Sequence, residues 1–467
     1  MNDELGYMPA TQVVELIRTR KLSPVEYMQA VLARIEALEP KLNAFAFLAA
    51  EQAMAAARHA ETKLMSGERI GRLHGVAATI KDLSITRDMP TQSGSPIFKG
   101  HQPTEDAPVV SRLRDEGAII LGKTTTSEFG WTGVSRSPLT GITHNPWKQG
   151  YNAGASSAGA GVAAAAGFGP LHQGSDGAGS VRMPSHFCGV FGLKPTFGRV
   201  PYYPVSTGDF TSHIGPMART VADAALMLEV MGGPHPLDYT TQEAQPAHYL
   251  LRLHEGIKGK RIAYSPDLGH ARVDPEVAAL VKQAAQRFTE LGATVEQAAT
   301  PWAADGPDLI RFFWPAHLSR LTPHLAKWEP QMDPGLVACI RAAESISVTD
   351  YQLARERKMA YIAGVHRWFE GWDFLLTPAV SVAAFPAERL MPEDWPSHAW
   401  DWVSWAEFSY PFNLSWNPAA SVPCGFTAGG LPVGLQIVGR RFDDLGVLQA
   451  AAAFEAIQPW ADKRPPV

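Results

Sequence analysis

The chain has 467 residues, 45% of them hydrophobic and 19% charged, a globular composition long enough to bury a large core without covalent staples. Its 41 basic and 46 acidic residues leave a net charge of −5 with no basic block, which disfavours a nucleic-acid coat or an anionic membrane surface. Three scattered cysteines (Cys188, Cys339, Cys424) fit neither a disulfide framework nor a Cys-rich zinc site and suit a reducing compartment.

No apolar run reaches the ~18 residues of a membrane span. Met1 to Thr11 carries Asp3 and Glu4 and lacks the apolar stretch of a signal peptide, so a cytoplasmic location is expected. In chain order, Ser23-Pro24-Val25-Glu26 reads as a capping box with proline at the first helical position. Val25, Met28, Val31, Leu32, Ile35 and Leu38 then recur at helical spacing. Ala49 to Met65 is a second helix, His74 to Ile80 a buried strand ending at Lys81-Asp82, Ala107 to Glu116 a helix and Gly117 to Leu121 a strand. Lys260 to Tyr264, Asp274 to Leu291 and Ala293 to Glu296 form a strand–helix–strand unit, and Leu431 to Val438 is another strand. Ten of the 13 tryptophans fall between Trp302 and Trp416, which sets that third of the chain apart.

Gly117-Ala-Ile-Ile-Leu-Gly122-Lys123-Thr124 matches the P-loop pattern literally. A phosphate cradle needs inward-turned backbone N–H groups between the glycines, whereas Ala-Ile-Ile-Leu is strand sequence, so nucleotide binding is not expected. The 15 histidines form no HExxH helix or Cys/His cluster, and there is no GxSxG elbow. Neither a metal nor a cofactor is expected.

The segment Tyr151 to Pro195 is dense in glycine, alanine and serine, yet it contains Val162, Phe187, Val190 and Phe191, unlike a linker. Ser156, Ser157 and Ser180 sit beside small residues. Two readings stay open from local chemistry: the serines cap helices, or the backbone turns several N–H groups into one concavity, as an oxyanion hole requires.

Three stretches of this block, Ser156-Ser157-Ala158-Gly159, Gly174 through Pro184 and Phe187 through Thr196, closely resemble the signature of the amidase signature family. Gly75 to Asp82, Leu121 to Phe129, Asn145-Pro146-Trp147, Gly215 to Val221 and Gly430 to Gln436 also fit, in the same order along the chain. The resemblance implies an α/β fold with one large domain: a central mixed, twisted sheet covered by helices on both faces. Within residues 1–467 it suggests an N-terminal helical part (1–67), a catalytic core (68–235), a variable pocket region (236–420) and a C-terminal strand and helix (421–467). The family's nucleophile, relay serine and lysine correspond to Ser180, Ser156 and Lys81, with a cis peptide bond before Ser156. Gly177, Ala178, Gly179 and Ser180 would offer N–H groups to the oxyanion. Ser157, Asp176 and Arg182 would support these groups, with Arg182 as a partner of Asp176.

For Lys81 to act as base it must be neutral, and burial is the available cause. Strand alternation predicts that Asp82 faces the other way. Ala178 stands where the family has glycine, which predicts strain if that position needs φ > 0. The pocket is expected to hold Gly130, Trp131, Phe210 and Trp416, making it aromatic and uncharged, with Trp395, Trp400, Trp402 and Trp405 over it or buried elsewhere. The implied activity is hydrolysis of a small, uncharged, aromatic or hydrophobic amide, extending to carbamates or esters, by a monomer or homodimer. The alternatives are the amide-cleaving component of a glutamine-dependent aminoacyl-tRNA amidotransferase and an inactive binding scaffold.

Overall fold

In the computed structural model, which describes residues 3–243 and 248–467, Ser23 caps the helix Pro24–Leu42 by accepting from the N–H groups of Val25 and Glu26. No reciprocal bond from the Ser23 N–H to Glu26 is present among the described residues, and the Ser23 hydroxyl donates to Glu61. The predicted second helix runs Ala50–Met65, and Pro108–Asp115 follows as expected.

Eleven strands form one sheet. In chain order they are β1 (Phe45–Leu48), β2 (Ala77–Lys81), β3 (Ile119–Thr124), β4 (Leu171–Asp176), β5 (Phe191–Lys194), β6 (His213–Ala218), β7 (Arg261–Tyr264), β8 (Thr294–Gln297), β9 (Phe374–Pro378), β10 (Ala419–Phe426) and β11 (Pro432–Gly439). Their spatial order is β1-β3-β2-β4-β6-β5-β10-β11-β9-β7-β8. The sheet is mixed: β2 runs parallel to β3 and β4, and β7 to β8 and β9, while the other pairs are antiparallel. The predicted strand–helix–strand unit is present, with Pro275–Arg287 crossing between parallel β7 and β8.

The strand expected at Gly117 to Leu121 lies two residues later, at Ile119–Thr124, and is buried throughout. Lys123 therefore cradles no phosphate; its buried amine donates to Ser84 O at 2.8 Å and Thr91 Oγ1 at 2.6 Å.

Two apolar clusters fill the molecule. One joins the N-terminal helices, the sheet and the last helix, Asp444–Ile457. The other gathers Trp302, Trp314, Trp402 and Trp405 around the helix Gly306–Leu318, together with Phe129, Trp131 and Ala178 from the first half of the chain. The serine block joins the two. The parallel register of β2 on β4, with Ile80 opposite Gln173, sets the end of β2 beside Ser175 and the loop after Asp176.

Candidate active site

Lys81 ends β2 with no solvent exposure, and its backbone N–H donates to the Gln173 side chain at 3.0 Å. Its Nζ lies 2.7 Å from Ser156 Oγ, 2.9 Å from Ser157 Oγ, 2.9 Å from Ser175 Oγ and 3.3 Å from Ser175 O. Among the described residues no carboxylate touches it. Burial pushes the ammonium well below its ordinary range, with the Asp176 charge opposing that shift. Asp82 points the other way, as strand alternation predicts, and lies 3.8 Å from Lys123. Burial lifts its carboxyl to about 6 against the pull of Lys123.

The four contacts of Lys81 differ in what they can do. Ser157 Oγ donates to Ser175 O at 3.0 Å and accepts from Ser175 N at 3.2 Å, so its proton is committed and it can only accept from Lys81. Ser156 Oγ has no such commitment among the described residues, which leaves its proton free to go to a neutral amine. Ser180 Oγ accepts from the Ser156 N–H at 3.4 Å.

Neither serine is a helix cap. The helix Ala158–Ala166 has Ser157 at its N-cap position with no side-chain bond, and the helix Arg182–Cys188 starts after Val181, also without one. The cis bond implied before Ser156 is not present: the cis peptide among the described residues is Tyr203–Pro204.

Asp176 organises the loop that carries Ser180. Its carboxylate accepts from Gly179 N (2.6 Å), Val181 N (3.2 Å), Arg182 Nε (3.0 Å), Arg182 Nη2 (2.9 Å) and Asn413 Nδ2 (2.9 Å). Burial is the largest influence and acts to raise its pKa, but the charge and hydrogen bonds of Arg182, with Lys194 and Asn413, together hold the carboxyl well below the usual range. Arg182 is thus the structural partner expected, and it also donates to Ser409 O, Gln436 Oε1 and Asn413 Oδ1.

This loop corrects the expected oxyanion donors. Gly179 gives its N–H to Asp176, which takes it out of the set. Gly177, Ala178 and Ser180 keep N–H groups without an acceptor among the described residues. The left-handed backbone falls on Gly179 (φ 123°), where a Cβ would sit 2.3 Å from Ser409 Oγ, so Ala178 is unstrained and the glycine that matters is retained.

A cavity of about 340 Å³ opens on Ser156, Ser175 and Gly177, a size suited to a small molecule. Gly130 lines it, as expected. The three expected aromatics do not. Trp131 is wholly buried, its ring packed on Gly335 and its carbonyl accepting from the indoles of Trp314 and Trp402. Trp416 donates to Phe210 O at 2.9 Å, and Phe197 packs against both rings, so that pair forms a separate cluster. Trp402 and Trp405 are buried in a 3-10 turn against Gly133, and Arg272 covers Trp395.

The cavity's aromatic wall comes instead from Phe98, Phe129, Tyr202 and Trp314, and His317 and Arg320 complete it. Periodicity carried no signal for these residues. Ser175 was also missed, although it lies one residue before Asp176 in the signature block.

A buried lysine with no carboxylate partner among the described residues, three serine hydroxyls around its amine and a nearby loop of N–H groups without acceptors form an arrangement chemically able to support acyl transfer. The family model Amidase matches residues 26–448, and the chain belongs to the amidase signature family and is an amidase. It is 40% identical to an acylamidase from Rhodococcus erythropolis over 99% of this chain and 98% of the relative. It is 32% identical to a glutamyl-tRNA(Gln) amidotransferase chain from Chloroflexus aggregans over 99% of each. The solved structure of a bacterial aryl acylamidase of the same family superposes with a TM-score of 0.91 at 28% identity, covering 97% of each chain. No helix among the described residues is long and apolar enough to cross a membrane.

Proposed function

We propose that the protein hydrolyses the C–N bond of small aryl or similarly bulky amides, and of related carbamates or esters, through Ser180, Ser156 and Lys81. The observation that carries this reading is the 2.7 Å contact between a buried Lys81 amine and Ser156 Oγ. Neutral Lys81 takes the Ser156 proton as Ser156 takes that of Ser180, and Ser180 Oγ adds to the amide carbonyl. The N–H groups of Gly177, Ala178 and Ser180 receive the developing oxyanion; losing one such donor typically costs ~3–4 kcal/mol in the barrier. Reversing the relay delivers a proton to the departing amine, the demanding step for an amide, and leaves an acyl-Ser180 that water cleaves. The similarity to an acylamidase and to an aryl acylamidase structure supports the substrate class.

The three cysteines, all free and buried, fit a reducing, cytoplasmic compartment. The amidotransferase reading rests on the relative from Chloroflexus aggregans and requires a partner protein. The test is turnover of a panel of anilides, primary amides and carbamates by the purified chain alone. Cleavage of anilides without a partner supports a stand-alone hydrolase; strong discrimination for glutamine with no anilide turnover overturns it.

A further inference from the structure

The wall of the catalytic cavity divides by chemistry. Leu83, Phe98, Phe129 and Trp314 supply one apolar side. Ser206, Thr207, Ser212 and Arg320 supply hydroxyls and one guanidinium, and no aspartate or glutamate among the described residues lines the cavity. Arg320 sits in the single turn Ser319–Leu321 that follows the helix Gly306–Leu318, and its side chain is exposed at the cavity.

Among the described residues Arg320 has neither a hydrogen bond nor a carboxylate partner. Its contacts are the Phe129 ring, 6.0 Å from the guanidinium, and the electrostatic influence it exerts on Tyr202 and His317. His317 adds no second charge: burial and the neighbouring Arg320 hold its imidazole down to about 3. Other arginines of this chain behave differently. Arg182, Arg199, Arg311 and Arg341 each meet a carboxylate within about 3.1 Å.

A lone guanidinium beside low-dielectric aromatic walls, with hydroxyl donors nearby and no competing anion, is suited to a planar carboxylate that it can grip with two N–H groups. We propose that Arg320 determines the specificity of this cavity and that the preferred amide carries a carboxylate in addition to its aryl group. The proposal rests on the amide-hydrolase reading above and replaces the expectation of an uncharged substrate. That expectation considered the cations of the recognised motifs, and Arg320 lies outside them.

Three anilides of similar size test it: neutral acetanilide, 4-acetamidobenzoate with the carboxylate on the amine side, and succinanilate with it on the acyl side. The wild-type protein should favour at least one carboxylated anilide over acetanilide in kcat/KM. In Arg320→Gln that ratio should fall by about tenfold or more, mainly through KM, and Arg320→Lys should retain part of it. Raised ionic strength should shrink the wild-type preference, because the guanidinium is exposed. A ratio unchanged in Arg320→Gln, or a wild-type preference for acetanilide over both carboxylated anilides, overturns the proposal.

Binding separates this outcome from a failure of the catalytic reading. Calorimetry on Ser180→Ala should show binding of a carboxylated anilide, weakened when Arg320→Gln is added. If no anilide is cleaved but that difference appears, the Arg320 assignment stands and the triad assignment fails. If anilides are cleaved and neither carboxylated anilide binds Ser180→Ala, the reverse holds.

Discussion

Between Tyr151 and Thr196 the chain is built from glycine, alanine and serine, and nearly every polar group has a defined partner; between residues 300 and 416 it is built from indoles and long helices. Both regions reach the same cavity, one with Ser156, Ser175 and Gly177, the other with Trp314, His317 and Arg320. In the first region many hydrogen bonds join residues near in sequence, as when Asp176 holds Gly179, Val181 and Arg182, while a few, such as those of Arg182 to Ser409 and Gln436, tie the block to distant chain. In the second, the direction of each ring depends on packing against distant chain, as when Trp314 donates to the carbonyl of Trp131. The proposed chemistry thus draws mainly on local spacing, and the cavity's aromatic wall on tertiary packing.

The largest effects should separate the two regions outright. Ser180→Ala should lower kcat by about 10⁴-fold or more, and Lys81→Ala should approach that loss. Ser156→Ala should cost less, because water can stand in for a relay but not for a nucleophile. Single-turnover kinetics on variants with unchanged melting check this order; full activity in Lys81→Ala removes the serine block from the chemistry.

The pH profile sharpens the same side of the comparison. Lys81 must be neutral to act, and burial lowers its pKa from the ordinary 10.5. kcat/KM should therefore fall on acidification as Lys81 gains a proton and level off well below pH 10.5. A rate still climbing through pH 10.5 shows an unperturbed lysine.

Trp131 tests the other region. Because its ring is wholly buried, Trp131→Ala should cost about 3–5 kcal/mol of stability in urea denaturation. It should leave the ratio of KM values for large and small amides unchanged. Phe98→Ala, which removes part of the cavity wall, should do the converse, raising KM for anilides over acetamide by about 1–2 kcal/mol.

The smallest effect concerns Glu128, the residue before the cavity-lining Phe129 and Gly130. Burial raises its carboxyl to about 7 from 4.5, although the Asp333 N–H and the Ser95 hydroxyl donate to it. Between those values the folded state holds a proton that the unfolded chain has released, so stability should decline as pH rises through that window. Glu128→Gln should flatten the decline in melting temperature between about pH 5 and 8. Glu39 and Glu455, also raised to about 7, should preserve the remainder.

The comparison also explains what was legible beforehand. A resemblance carried by ordered motifs points to Lys81, Ser156 and Ser180, which the fold brings within hydrogen-bond reach in turn, and strand alternation places Asp82 away from Lys81. The strand–helix–strand unit at β7 and β8 followed from periodicity. The role of Gly179 was not legible, because which of two small neighbours adopts positive φ is set by the Asp176 hydrogen bonds. The resemblance puts Trp131 and Trp416, with Phe210, at the pocket through their positions beside family motifs. Composition does not say which way a ring turns, and all three turn into packing. Arg320 gave no signal, since one arginine after a helix looks like any solvated surface charge.

The reach of Arg182 has a consequence for truncation of the chain. The guanidinium that clamps the nucleophile loop is itself held by Ser409, Asn413 and Gln436, which lie 227, 231 and 254 residues further along the chain. The loop between Asp176 and Arg182 is therefore completed only by residues from the last eighth of the sequence. A truncated chain ending before β11 would keep Lys81, Ser156, Ser180, Ser409 and Asn413 but lose Gln436 from the clamp on Arg182.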